Sequence, residues 1–236
     1  MDYFYTTPQH ISRQELTIDG EEFIHLTHVM RREVGDEVRV VDGQGSAYDV
    51  RIAEISKRTA RCVISAHHRQ LNEPGTHVTL AVAILKNASR FDFLVEKTTE
   101  IGVSAIVPLL TERTIPRHAR TDRWQKLAIA AMKQSGRCVL PVVKELTSFP
   151  DFVRSLKPDP LKLLLHEKSG TSLISVKPKN SDDSGVIVCI GPEGGFTDEE
   201  IALASSSGFK PVGLGPRRLR TETAAVAAAG LVLVGV

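Results

Sequence analysis

The chain runs to 236 residues, 42% of them hydrophobic and 25% charged, the composition of an ordinary globular protein long enough for one large domain or two modest ones. Its formal charge is only +2, no apolar run approaches the roughly 20 residues that span a bilayer, and the opening MDYFYTTPQH lacks the basic-then-apolar order of a signal peptide. Cys62, Cys138 and Cys189 lie far apart and are odd in number, which argues against a disulfide framework; with no C-x-x-C or H-E-x-x-H spacing for zinc, a cytoplasmic, metal-free protein without membrane association is expected.

Residues 1–72 read as mainly β with one helix. The helix falls on 22–31, and strands rich in β-branched and alternating residues fall on 38–42, 47–55 and 59–66. Asp42-Gly43-Gln44-Gly45 supplies a hairpin connection between the first two strands. Residues 71–75, Leu-Asn-Glu-Pro-Gly, are polar and closed by turn formers, so the domain boundary is placed after residue 72. This first segment carries nine Lys/Arg against eleven Asp/Glu.

From Val78 onward strands and helices alternate. A strand over 78–85 precedes a helix whose one face carries Phe91, Leu94, Val95, Thr98 and Ile101 and which stops at Gly102. A strand over 103–110 and a helix bearing Trp124, Leu127, Ala128, Ala131 and Met132 follow. Residues 161–165 read as another strand and 177–185 as an exposed loop. The continuous apolar run 186–190, VIVCI, suits a strand buried on both faces. This alternation predicts an α/β domain built on a parallel sheet with helices on both faces. Between residues 111 and 137 seven Lys/Arg stand against two carboxylates, which makes Arg113, Arg117 and Arg137 candidates for contact with nucleic-acid phosphate.

Two glycine-bearing turns end the chain's last strands. Gly191-Pro192-Glu193-Gly194-Gly195 is too rich in turn formers to extend 186–190. Thr197 then stands three residues before Glu200, the spacing of a capping box that opens a helix. The second unit repeats the plan: a strand over 212–214, a turn at Gly215-Pro216, and a helix opened by Thr221 or Thr223. Open α/β sheets bind ligands at the C-terminal ends of their strands, and glycine lets main chain approach a flat ligand closely. The candidate lining is therefore Leu165 and His166 at the end of 161–165, Gly191, Pro192, Glu193 and Gly194 in the first turn, and Leu214, Gly215, Leu219 and Thr221 in the second. No G-x-G-x-x-G or G-x-x-x-x-G-K-[ST] appears, which argues against the usual dinucleotide and P-loop folds.

GPEGGFT followed by LG-x-R-x-LRTETA resembles the bacterial methyltransferases of uridine N3 in 16S ribosomal RNA, members of the SPOUT superfamily. His28-Val29-Met30-Arg31, Gly35-Asp36 and Asp42 to Tyr48 resemble that family's N-terminal domain. Glu96-Lys97-Thr98-Thr99-Glu100-Ile101-Gly102-Val103, Pro108 and Gln134-Ser135-Gly136-Arg137 resemble the front of its catalytic domain. Met132-Lys133 depart from the pattern, which has a small residue and a glutamate there. The resemblance implies a trefoil-knotted methyltransferase domain over 73–236, behind a PUA-like β-barrel over 1–72 that docks RNA. It also implies S-adenosyl-L-methionine as cofactor, 16S ribosomal RNA of the small ribosomal subunit as partner, and a homodimer.

Uridine N3 carries a proton at neutral pH and must lose it, so the site needs a base or cations that stabilise charge on O2 and O4. Arg220, beside a helix N-terminus, is the first choice for the cationic role. Glu222, one turn into the last helix, is a candidate base, with stabilisation of the helix dipole as the plainer reading. Glu193 is expected to bond neighbouring loop amides. Arg217 and Arg218 suit phosphate backbone, as do His28, Arg31 and Arg32 of the N-terminal domain. The apolar last helix, 223–234, must be buried in the core or against another subunit. A ribose 2′-hydroxyl as acceptor, or a non-catalytic RNA-binding assembly factor, remain alternatives.

Overall fold

A computed structural model describes residues 2–176 and 185–234; the loop expected over 177–185 lies, except for its last residue, outside them. The chain forms two compact units, Met1–Glu73 with Ile129–Leu140, and Pro74–Ala128 with Pro141–Val236.

The first unit is built on β1 (Tyr3–Tyr5), β2 (Glu15–Asp19), β3 (Glu37–Val41), β4 (Ser46–Ile55) and β5 (Thr59–Arg69), in the order β1-β3-β4-β5-β2. The β3–β4 hairpin closes because Asp42 Oδ1 accepts the amides of Gln44 (2.7 Å) and Ser46 (2.9 Å), while Gly43 and Gly45 take positive φ. Phe4 of β1 and Leu16 and Ile18 of β2 share one core with Val38, Val40, Val50 and Ile52. Both edge strands thus turn inward onto the same apolar centre, and the sheet curls. Among the described residues no strand pairing joins β1 to β2, and the Thr6 hydroxyl donates to the Thr17 carbonyl across that seam at 2.8 Å, so the curled sheet agrees with the expected PUA-like domain. Helix α1 (Gly20–Ile24) passes into a π-helical turn, His25–Val29, and Arg31 at φ 52° takes the chain out of the helix.

The second unit is a seven-stranded sheet, parallel in every recorded pairing. Its strands are β6 (Val78–Ala83), β7 (Ala105–Leu110), β8 (Val142–Val143), β9 (Thr147–Ser148), β10 (Leu161–Leu165), β11 (Val186–Ile190) and β12 (Lys210–Val212). The order is β12-β10-β11-β6-β7-β8, with β9 also on β7. All five residues of β11 are buried, as a strand covered on both faces requires.

Helix α2 (Ala88–Ile101) starts where the Asn87 side chain accepts the Ser89 amide, and it ends at Gly102, φ 121°. Helix α3 (Thr121–Gln134) begins in this unit, and its residues from Ile129 onward belong to the first. Helix α4 (Phe149–Ser155) is capped by Ser148. The Thr197–Glu200 capping box opens α5 (Asp198–Ser206) with both reciprocal bonds made. Strand β12 lies two residues before its expected place, because Leu163, Leu164 and Leu165 take Lys210, Pro211 and Val212 as partners; Leu214 is thereby released from the sheet. Helix α6 (Thr221–Leu233) opens at Thr221 and buries Ala225, Ala228, Ala229 and Val232, packing on α2 and β6. Ala224, Val226, Ala227 and Leu231 stay partly exposed, so the chain covers one face of this apolar helix fully and the other only in part.

Candidate functional site

At the C-terminal ends of β10, β11 and β12 lies a cavity of about 560 Å³, with Leu165, Ile190 and Val212, the last residues of those strands, in its wall. Both glycine turns border it, joined directly by the Thr221 hydroxyl donating to the Gly191 carbonyl at 3.0 Å. All ten residues expected to line a ligand pocket, from Leu165 and His166 to Leu219 and Thr221, lie on this one wall. So does Arg220. Its side chain is exposed and, among the described residues, has no hydrogen-bond or ion-pair partner.

The two turns differ in their main chain. In the first, each carbonyl from Gly191 to Gly194 has a donor. Gly191 takes Thr221, Pro192 the Gly195 amide at 2.8 Å, Glu193 the Arg218 guanidinium at 3.2 Å, and Gly194 that of Arg113 at 2.6 Å. Among the described residues the amides of Glu193, Gly194 and Phe196 have no acceptor. The first turn therefore offers donors and few acceptors. In the second turn neither the amides nor the carbonyls of Leu214 and Gly215 are paired among the described residues, so it offers both.

Several expected roles change. Arg137 is 3% exposed, and its guanidinium binds Glu73 at 2.7 Å. The other Glu73 oxygen takes the amides of Cys138 and Val139, each at 2.8 Å. Arg137 is thus an internal tie of the first unit and out of reach of phosphate. Glu222 is buried, is not among the residues that line the cavity, and faces the lining residue Arg90 at 3.6 Å. Glu193 is exposed, and its carboxylate makes none of the expected loop bonds among the described residues. Glu200 makes them instead, accepting the amides of Thr197 and Glu112, each at 2.9 Å. Arg113, Arg217 and Arg218 line the cavity. His28, Arg31 and Arg117 are exposed elsewhere, and Arg32 is tied to Asp2 and Asp36. Lys133, at the departure from the family pattern, pairs with Glu22 inside the first unit.

Arg90, Glu167, Lys168 and Asp198 also line the cavity, and none of them is among the candidates drawn from the sequence; for Arg90, charge alone fits any solvated helix. A signal was available, since Asn87 caps α2 and so puts Arg90 in its first turn, beside a strand end. In all, six Arg/Lys side chains against three carboxylates border the cavity, a balance that suits a polyanion. Burial pushes the Cys189 thiol well up, so no ionised thiol stands behind the first turn. Its own amide, then the Thr197 hydroxyl, holds the Glu199 carboxyl below the usual range. Among the described residues no cluster of His, Cys, Asp and Glu could hold a metal, and no helix is long and apolar enough to cross a membrane.

Residues 72–233 match the RNA methyltransferase domain family, and residues 18–65 match the RNA methyltransferase PUA domain. The chain is 35% identical over 221 residues to ribosomal RNA small subunit methyltransferase E of Synechocystis, covering 92% of this chain and 72% of that one. The protein of the same name from Aquifex aeolicus is 29% identical, with 99% of each chain covered. The crystal structure of the Neisseria gonorrhoeae enzyme of that name, bound to S-adenosyl methionine, superposes with a TM-score of 0.87 at 33% identity, over 98% of this chain and 95% of that one. With one family spanning the cavity-bearing unit and relatives spanning nearly the whole chain, this protein belongs to the ribosomal RNA small subunit methyltransferase E family.

Proposed function

We propose that this chain is an S-adenosylmethionine-dependent methyltransferase acting on N3 of a uridine in 16S ribosomal RNA. The observation that carries the proposal is the single cavity between the two turns, closed by the Thr221–Gly191 bond. A methyl donor of this kind presents an adenine edge with both a donor and an acceptor, ribose hydroxyls, and a carboxylate. The unpaired amides and carbonyls of Leu214 and Gly215 match the adenine edge, and the free amides of Glu193, Gly194 and Phe196 match oxygen acceptors. The residues present therefore fit the cofactor, which supplies an activated methyl group on a sulfonium when bound.

The protein's share of the work is to hold, orient and stabilise. Placing an acceptor nitrogen in line with the methyl carbon can contribute on the order of 7–11 kcal/mol. Arg220 stands at the N-cap of α6 with its guanidinium unpartnered. Its proposed role is to stabilise the negative charge that spreads to O2 and O4 of the uracil as N3 loses its proton. Arg217, exposed and also unpartnered among the described residues, suits the RNA backbone. The first unit, with its PUA match and with His28 and Arg31 exposed, serves as the RNA-docking module. The half-covered face of α6 is the surface offered to a second copy in a homodimer. A trefoil knot within 73–236 belongs to the same reading, and a ribosomal substrate puts the reaction in the cytoplasm.

The test is to supply the protein with labelled S-adenosylmethionine and small subunits from cells lacking the gene, then digest the RNA for mass spectrometry. N3-methyluridine is expected. A methyl on ribose would move the acceptor to the 2′-hydroxyl, and no incorporation would leave an RNA-binding factor.

A further inference from the structure

Arg113 sits in the basic stretch after β7, where sequence alone gives it a phosphate to hold. Its guanidinium is committed elsewhere. Nη1 donates to the Gly194 carbonyl at 2.6 Å and to the Phe196 carbonyl at 3.4 Å, and the side chain lines the cavity. The neighbouring Glu112 amide is fixed at the same place, donating to the buried Glu200 carboxylate that also caps α5. Two successive residues of the β7 loop thus grip the first glycine turn, one by its carbonyls and one through the capping carboxylate. A charged donor on a carbonyl is worth more than a neutral one, and it holds the peptide planes of 194–196 in one orientation. The Gly194 and Phe196 carbonyls belong to the 194–195 and 196–197 planes, and the plane between them carries the Phe196 amide, unpaired among the described residues.

We infer that Arg113 is a positioning residue for the methyl donor: by occupying the carbonyls of Gly194 and Phe196 it fixes the main chain on both sides of the Phe196 amide and presents that amide to the cofactor. The inference rests on the donor-binding reading above. It also explains why Gly194 is a glycine although its φ lies outside the positive range. A Cβ there would meet Arg113 Cδ at 3.2 Å, so a side chain at 194 presses on the guanidinium's approach.

Calorimetric titration of S-adenosylmethionine into the full-length protein, together with steady-state kinetics on small subunits, tests this. Arg113→Ala is expected to weaken donor affinity about tenfold or more and to raise the donor KM in step. At saturating donor kcat should stay within about threefold, a split that marks lost ground-state binding. Arg113→Lys, which keeps one charged donor, should recover part of the affinity. Gly194→Ala should mimic the loss in the wild-type background and add little to Arg113→Ala, since neighbours that share one contact are not additive. Unchanged donor affinity in Arg113→Ala overturns the inference, and lost RNA affinity with intact donor affinity returns Arg113 to phosphate. A fall in melting temperature that accounts for the whole effect, without rescue by lysine, reduces it to a fold contact. A wild-type protein that takes up no donor defeats the functional reading instead, so the two failures are distinct.

Discussion

The first glycine turn is tied and the second is free. Around Gly191–Gly195 two arginines, a threonine hydroxyl and a capping carboxylate occupy the polar main chain. Around Leu214–Gly215 the main chain is unpaired, and Arg217 and Arg220 have no side-chain partners among the described residues. The difference divides the labour. On the proposed reading the tied turn meets the donor prearranged, with little ordering on binding, the free main chain of the second turn meets its adenine edge, and the unpartnered cations meet the charge that the RNA and its reacting base bring.

Four substitutions break or sharpen that division. Arg220→Ala removes the cavity-lining cation proposed to stabilise charge on the acceptor base. It should lower kcat about 10²–10³-fold, the range for deleting one stabilising donor, while donor affinity by calorimetry stays at the wild-type value; lost donor affinity would place Arg220 with the frame. Glu200→Ala deprives the Thr197 and Glu112 amides of their acceptor and should cost about 1–3 kcal/mol in urea denaturation, with unaltered stability indicating that water replaces the carboxylate. Thr221→Val cuts the strap between the turns, an expected loss of about 0.5–1.5 kcal/mol in donor binding. Arg217→Ala should leave donor binding alone and reduce the slope of log RNA affinity against log salt by about one; an unchanged slope would show that it meets no phosphate.

The tied turn was largely legible in the sequence and the free one only in part. Residues 161–165 and 186–190 were read to the residue because buried parallel strands are continuous apolar runs with sharp ends. Thr197 and Glu200 announced their capping box through a local spacing. Strand β12 was misplaced by two residues because Val212, Gly213 and Leu214 carry no alternation, and pairing with β10, distant in sequence, set the register. Strands β1 and β2, the short β8 and β9, and α4 were absent from the reading for the same reason: brief edge pieces owe their shape to a partner.

Side-chain roles were harder still. Arg137 and Arg113 looked alike in one basic stretch, and only space separates them. One is buried against Glu73, 64 positions away, and the other reaches Gly194, 81 positions away. Glu222 reads in the sequence as a candidate base or a helix-dipole partner, and its pairing with Arg90 could not be read there. Main-chain chemistry, by contrast, could be inferred from glycine alone.

The most direct measurement is equilibrium titration of S-adenosylmethionine into the intact wild-type chain. Saturable uptake at one site per chain, weakened in Gly194→Ala and undiminished in Arg220→Ala, is the expected result. Absence of any binding at millimolar donor would contradict the assignment of the shared cavity to the cofactor.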